Sequence, residues 1–553
     1  MKKSTKILAL GLATVASLGT VSSLAGCGAK EDKDLKDPTV LNICMPDLGY
    51  GTDWMKNVAK GFTAKTGTRV NIDVTPTESG YVTAMYAGTA PYDIYCLRAN
   101  TYSLVTANQA NVSGHECILA DYDDIYGSQV AQETNEKGEP LLFKDKMKDM
   151  YESYNRVYKT VEDEQNDNYH YYAVQWCDTV FSIVCNMDVW KSEWAVPNTT
   201  DELLALAEKI KDTKGYTPFI WSSQATYWWQ TASLWVTQYQ GLEDMYGNEG
   251  FWAGYSETGV KNTPDMWKRR GILEALTVLD ELVKDENGYQ HVLSTSVDFT
   301  TAQGYFCLPE NKIAMMANGD WLYNEMKKNY PKANLKMMPM PVISAIRNHP
   351  DCQETVRDKN DGIETDAELS ALIKAIDAGS TALSGEGYNV SQKAFDKVYE
   401  ARNMYNCSSN INHVMVTPAW SDSKAQVKEF MLYLASEEGQ IKFAEGGNTG
   451  FTHCFETTDA VRAASHAVSN NFVKSAEALK QGKQVAPWPV YSSRLFSVGG
   501  MPVNPMIELG YNMPELIFCL TGSGYKDAVT IYTENYQNAK TKWASYMQTA
   551  GLE

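Results

Sequence analysis

The sequence predicts an α/β chain built as at least two lobes. Two observations carry this. From Thr39 onward, β-branched apolar runs of strand length alternate with amphipathic helical patterns, and strand, helix, strand at this spacing implies a largely parallel sheet with right-handed crossovers. The chain also has 553 residues, far beyond the roughly 250–300 at which one hydrophobic core stops growing.

The elements follow in order. "TVLNICMP" (39–46) is a β-branched apolar run and reads as the first strand. A Gly-containing loop leads to the helical pattern "DWMKNVAKGFTAKTG" (53–67), which stops at Gly67. "RVNIDVT" (69–75) alternates as a strand does, "GYVTAMYAG" (80–88) gives a second helix, and "YDIYCL" (92–97) another buried strand. "YYAVQW" (171–176) and "VFSIVCNMDVW" (180–190) are strand-like runs flanking Cys177-Asp178. "TTDELLALAEKIKDT" (199–213) opens on Thr and Asp caps, sets Glu202 in its first turn and repeats Leu at helical spacing. "GILEALTVLDELVKD" (271–285) is a second helix of this kind. "KIAMMANGDWLYNEM" (312–326) reads as a buried strand that breaks at Gly319 into a helix. "HVMVTPAW" (413–420) is a strand, and "SKAQVKEFMLYLASEEGQIKFAEGG" (423–447) is one long amphipathic helix or two. The more polar stretch 343–410 reads as an inserted arm.

Ahead of the first strand, Lys2, Lys3 and Lys6 precede a run of apolar and small residues from Ile7 to Gly26. This is the layout of an export signal with a small-residue cleavage site, so residues 1–26 are expected to be removed. Leu24-Ala25-Gly26-Cys27 resembles the bacterial lipobox, which makes Cys27 the acylation site and the first mature residue, with palmitate among its acyl chains. Each buried lipid CH₂ contributes roughly 0.8 kcal/mol, so more than one chain gives lasting anchoring. Residues 27–38 are then a polar tether. No second continuous apolar run of about 18 residues follows. The expected chain is held on the outer face of a membrane without crossing it.

The formal charge of −19 becomes more negative once the signal lysines leave. A nucleic-acid partner is thereby disfavoured, since phosphate neutralisation needs clustered Lys and Arg. Ten cysteines besides Cys27 form no CxxC and sit in apolar contexts such as "FSIVCN". They are expected to be unpaired core thiols.

Several segments, in this order, resemble the extracellular solute-binding proteins, family 1, of bacterial ABC importers, especially the sugar-binding branch. They are the lipobox, "WMKNVAKGFTAKTGTRVNIDV", "APYDIYCL", "YYAVQWCDTVFSIVCNMDVW", "PENKIAMMANGDWLY" and "KEFMLYLASEEGQIKFAEGGNTGF". Departures are Gln175 where Pro is frequent, Cys185 for Tyr, Thr200 for Trp and Phe451 for Pro. The resemblance implies a two-lobed, periplasmic-binding-protein-like clam-shell of type II with a hinge between the lobes. Lobe 1 would take residues 39–175 and 411–455, and lobe 2 residues 176–342 and 456–553, the latter ending in helices. It further implies a monomeric, non-enzymatic receptor that needs no cofactor or metal. Such a receptor captures an oligosaccharide in the interlobe cleft and hands it to transmembrane permease subunits served by a separate ATPase.

Open α/β sheets bind ligands at the carboxyl ends of their strands, and sugars suit flat amphipathic rings flanked by carboxylates and amides. The chain has 14 Trp and 33 Tyr. Position then selects the candidates. Asp47 and Tyr50 follow the first strand, Glu78 and Tyr81 the second, and Trp176 and Asp178 lie at the first crossing between lobes. Tyr227, Trp228 and Trp229 follow the strand-like "TPFIW", Asp320 and Trp321 follow "KIAMMANG", and Trp420 follows "HVMVTP". By resemblance to the family's Gly-x-Trp, Trp321 would stack on a sugar ring while Asp320 accepts hydroxyl hydrogen bonds.

Other chemistries find little support. The seven histidines show no HExxH. Asp121, Asp123 and Asp124 read as a solvated turn before they read as a calcium site. No GxGxxG or GxxxxGK[ST] occurs. Ser421-Asp422-Ser423-Lys424 and Lys65-Thr66-Gly67 spell SxxK and KTG, but in the wrong order and without SDN. The competing readings are a non-sugar solute, such as a peptide or sugar phosphate, and a surface glycoside hydrolase, which would also need aromatics and a carboxylate pair.

Overall fold

The computed structural model describes residues 39–552 other than 48, 76–79, 99–100, 107–113, 149–150, 223–226, 248–249, 253–254, 257–258, 261–262, 354–361, 382–389, 408–412, 448–452, 488–493, 498–505 and 507–512. The export segment, Cys27, the tether and Glu78 lie outside the described residues.

Two sheets organise the chain. The first runs Arg69–Thr75, Val40–Pro46, Ile94–Arg98, His413–Val416, Val174–Gln175. Its first three strands are parallel. Val40–Pro46 is buried throughout, as a strand covered on both faces must be, while the edge strand Arg69–Thr75 is partly exposed. His413–Val416 enters antiparallel to both of its neighbours, because the chain returns here from the second lobe.

The second sheet runs Thr217–Phe219, Ile313–Gly319, Phe181–Asn186, Met404–Cys407, Gln484–Pro487, with Leu335–Met337 also paired to Phe181–Asn186. It is mixed where the sequence suggested a largely parallel arrangement. Phe181–Asn186 runs antiparallel to Ile313–Gly319 because it arrives straight from the first sheet, without an intervening helix to reverse it.

The chain passes between the sheets at residues 175–181 and 407–413. A third passage follows helix Asp459–Val468, which packs on helix Glu437–Gly447 of the first lobe, and precedes helix Asn471–Lys480, which packs on Leu335–Met337 of the second. The return to the second lobe therefore lies beyond residue 456, the boundary read from the sequence.

One buried cluster, with Trp235, Trp267, Leu276 and Leu279 at its heart, fills the second lobe. Another begins under the first sheet with Leu41, Ile43, Trp54 and Phe62 and continues across to Phe181, Met316 and Trp321. The stretch 343–410 is not an outlying arm. Its helices Asp366–Asp377 and Gln392–Arg402 bury Leu369, Leu372, Ile373, Phe395 and Val398 in the second-lobe core, and Met404–Cys407 is an inner strand of the sheet. Its polar composition reflects the outward faces of those helices. The ten described cysteines are free thiols, all but Cys117 buried. No helix among the described residues is long and apolar enough to cross a membrane.

Two glycines show different demands. Gly67 ends helix Asp53–Thr66 at φ 82°, donating its N–H to Thr63, and a Cβ there would meet nothing within 4 Å. Gly446 lets helix Glu437–Gly447 approach helix Asp53–Thr66 closely. A Cβ on it would lie 2.6 Å from Cβ of Asn57 and 2.9 Å from the carbonyl oxygen of Asp53. Gly67→Ala is expected to cost about 1 kcal/mol through backbone strain alone. Gly446→Ala should cost about 1–3 kcal/mol through overpacking. Urea unfolding of the two variants, compared at equal m-value, checks the order.

Candidate functional site

Six strand or helix ends converge where the two sheets face each other. Tyr50 lies in the loop after Val40–Pro46, Trp176 directly follows Val174–Gln175, and His413 opens the returning strand. From the second lobe come Phe181, at the start of its strand, and Trp321, two residues past Gly319. Tyr227 opens helix Tyr227–Gln240.

Their rings touch across the lobes. Tyr50 meets Trp176 edge-on at 5.3 Å, His413 at 5.2 Å and Trp321 at 5.7 Å between centroids. Trp321 meets Phe181 at 4.7 Å and Tyr227 at 5.9 Å. Behind them Trp54 stacks on Trp176 at 5.6 Å. Four sequence candidates, Tyr50, Trp176, Tyr227 and Trp321, are thus brought into one seam.

Polar groups border it. Asn324 donates its side-chain N–H to the carbonyl of Gly49, a direct lobe-to-lobe hydrogen bond. Glu325 lies against the same glycine, where a Cβ on residue 49 would come within 2.3 Å of its Oε1, and its Oε2 accepts a hydrogen bond from Gln303 at 2.8 Å. Burial pushes the Glu325 carboxyl up to about 7. Burial also raises the Tyr227 phenol, with the Glu325 charge adding to it. Sequence reasoning missed Asn324 and Glu325, although Glu325 stands four residues past Trp321 and so shares its helical face.

Asp178 and Asp320, expected to line the ligand site, are fully buried and hold protein partners. Asp178 pairs with Lys148 and accepts hydrogen bonds from Tyr151 at 2.9 Å and Tyr405 at 2.8 Å. Lys480 donates to the backbone carbonyl of Asp178 at 2.9 Å and lies 3.3 Å from Asp320 Oδ2, which also accepts the N–H of Val180. Burial raises the Asp178 carboxyl, but Lys148 and Lys480 outweigh it and hold the group below its ordinary range. For Asp320 burial prevails over Lys480, and the carboxyl rises to about 7. These two acids form a charge cluster beside the 175–181 passage.

The remaining candidates scatter. Trp228 is core, 1% exposed and edge-on to Phe219 at 5.0 Å. Trp229, partly buried, packs at the margin of the same second-lobe core, and its backbone N–H reaches Glu515 at 2.6 Å. Trp420 packs on the far face of the first sheet and donates its indole N–H to Ala90. Asp47 is exposed and donates its backbone N–H to Thr75. Tyr81 sits at the outer edge beside Tyr95. Ligand atoms of Asp121, Asp123 and His170 lie within 4.8 Å of one another. Both acids serve the backbone, Asp121 accepting from the N–H of Asp123 and Asp123 from that of Tyr171, while Asp124 pairs with Lys428.

Residues 48–441 match the family described as bacterial extracellular solute-binding protein. The chain belongs to that family. No curated protein matches it in sequence. Solved structures similar to this solute-binding protein include "SBP RafE in complex with raffinose", with 13% identity over 90% of this chain and 99% of that one and a TM-score of 0.50. The bacterial solute receptor AcbH, described with an exclusive preference for β-D-galactopyranose, shows 13% identity over 91% and 99% at a TM-score of 0.51. A Thermus thermophilus maltotriose binding protein shows 14% identity over 91% and 100% at 0.49. At such identities the likeness is one of fold, the two-lobed periplasmic-binding-protein architecture.

In this solute-binding protein the charge cluster governs stability. Asp178→Ala strands Lys148 and two buried phenols, and should cost roughly 3–5 kcal/mol in denaturant unfolding. Asp320 acts with the opposite sign. Its folded pKa of about 7 exceeds the unfolded value of about 4, so its contribution is fully present below about pH 4 and is lost progressively as pH rises from there through the folded pKa of about 7. Asp320→Asn should flatten the decline in melting temperature between about pH 4 and pH 7.

Proposed function

We propose that this solute-binding protein captures a carbohydrate, an oligosaccharide, between its lobes. It delivers that ligand unaltered to the permease subunits of an ABC importer while anchored to the outer face of the membrane through Cys27. The seam of Tyr50, Trp176, Tyr227 and Trp321 carries this reading. Indole and phenol rings offer flat apolar faces to the C–H face of a sugar, and the neighbouring amide and carboxyl groups of Asn324 and Glu325 suit its hydroxyl rim.

Each lobe supplies part of the seam, so a ligand held there makes its full set of contacts only when the lobes are together, which is all that ligand-stabilised closure requires. Tyr50 and Trp321 touch each other here. A sugar ring entering between them exchanges ring–ring for ring–sugar contact. The raffinose-bound and galactopyranose-preferring receptors of like fold support the same ligand class.

A thermal-shift screen of neutral oligosaccharides, peptides and sugar phosphates tests the proposal. A saccharide at 100 times its dissociation constant should stabilise the protein by about 2.7 kcal/mol, without product sugars accumulating. Trp321→Ala should remove that shift while a cooperative melt persists. Stabilisation by phosphorylated solutes or peptides and by no saccharide contradicts the reading. Cys27→Ser should release the protein from the membrane fraction and abolish palmitate labelling.

A further inference from the structure

Two carboxyl groups of the second lobe flank the aromatic seam without a cation among the described residues. Glu325 stands on the Trp321 side, against Gly49 of the first lobe. Among the described residues its Oε1 has no hydrogen-bond partner, and its Oε2 has only the Gln303 amide. Glu515 stands on the Tyr227 side. It is 0% exposed, and its Oε1 accepts the backbone N–H of Trp229, two residues past Tyr227. Its Oε2 is buried with no partner.

The surroundings of Glu515 share this unsatisfied character. The indole N–H of Trp229, the side-chain oxygen of Gln230 and that of Asn406 are each buried without a partner. Asn406 turns its amide N–H groups to the carbonyl of Gln230 and the hydroxyl of Ser233, leaving the oxygen over. Asn406 is paired to Phe181, a ring of the seam, so these groups lie at the cleft edge of the sheet.

Native proteins rarely leave buried polar atoms unpaired, because each costs its full desolvation. Here three acceptors and one donor, with a carboxyl among them, are gathered around the start of one helix beside a carbohydrate-type ring platform. We propose that Glu325 and Glu515 are the specificity-determining acceptors of this receptor, each taking hydrogen bonds from ligand hydroxyls on opposite sides of Tyr227. This rests on the carbohydrate reading and deepens it. Sugar hydroxyls are donors without charge, so they satisfy a carboxylate that no lysine or arginine among the described residues accompanies. Burial pushes each carboxyl up to about 7, as expected of acids left uncompensated until a ligand arrives.

The test compares wild type, Glu325→Gln and Glu515→Gln in the mature chain, titrated with whichever neutral oligosaccharide of a panel containing raffinose and maltotriose most raises the wild-type melting temperature. Gln keeps the shape and one acceptor oxygen while removing the charge. Each variant should bind about tenfold or more weakly, since hydrogen bonds to charged groups are the stronger class, while its unliganded melting temperature at pH 8 stays level or rises. A lowered melting temperature with unchanged affinity would make the residue structural and overturn its assignment. Wild type that binds a saccharide as tightly as both variants sinks this inference alone, whereas wild type that binds none of the panel sinks the carbohydrate reading with it.

Discussion

Asp178 is the point on which the architecture turns. A carboxylate taken out of water must be surrounded by donors or cations, and this one draws them from every segment that passes between the lobes. Lys148 and Tyr151 come from the first lobe, Tyr405 from the strand that leads back to it, and Lys480 from the helix after the third passage. None of these partners can move far without exposing a charge to apolar surroundings. The passages are thereby held in register between lobes built around separate sheets.

The aromatic seam follows from that arrangement. Each ring enters at the start or just past the end of a strand, or, for Tyr227, at the start of a helix, where the two sheets face each other. Tyr50, Trp176 and His413 belong to the first lobe; Phe181, Tyr227 and Trp321 belong to the second. Contacts such as Tyr50 on Trp321 and Asn324 on Gly49 form only with the lobes together. Function of the binding type needs no reacting group in such a place. It needs surfaces whose best partner is a third body, and rings bordered by amide and carboxyl groups provide them.

How much of this was legible in the sequence depended on distance along the chain. Strand ends are local features, so Tyr50, Trp176, Tyr227 and Trp321 could be placed from the runs that precede them. The adjacent Trp228 and Trp229 could not be told apart, because neighbouring residues on a helix face different ways and only the packing against Phe219 decides which is core. The engagement of Asp178 and Asp320 could not be read locally because their partners are remote: Lys148 is 30 residues from Asp178 and Lys480 is 160 from Asp320. Glu515, 286 residues from the N–H that it accepts, left no local trace at all. The stretch 343–410 misled for another reason. Average polarity hid two amphipathic helices whose buried faces complete the second-lobe core.

The most direct test is a crystal structure of the mature chain grown with a saturating neutral oligosaccharide. A sugar ring lying flat on Trp321 between the lobes, with Tyr50 moved off that indole, is the expected result. A saccharide seated on the outside of one lobe, with the contacts of Tyr50, Trp176 and Trp321 unchanged, would contradict the account.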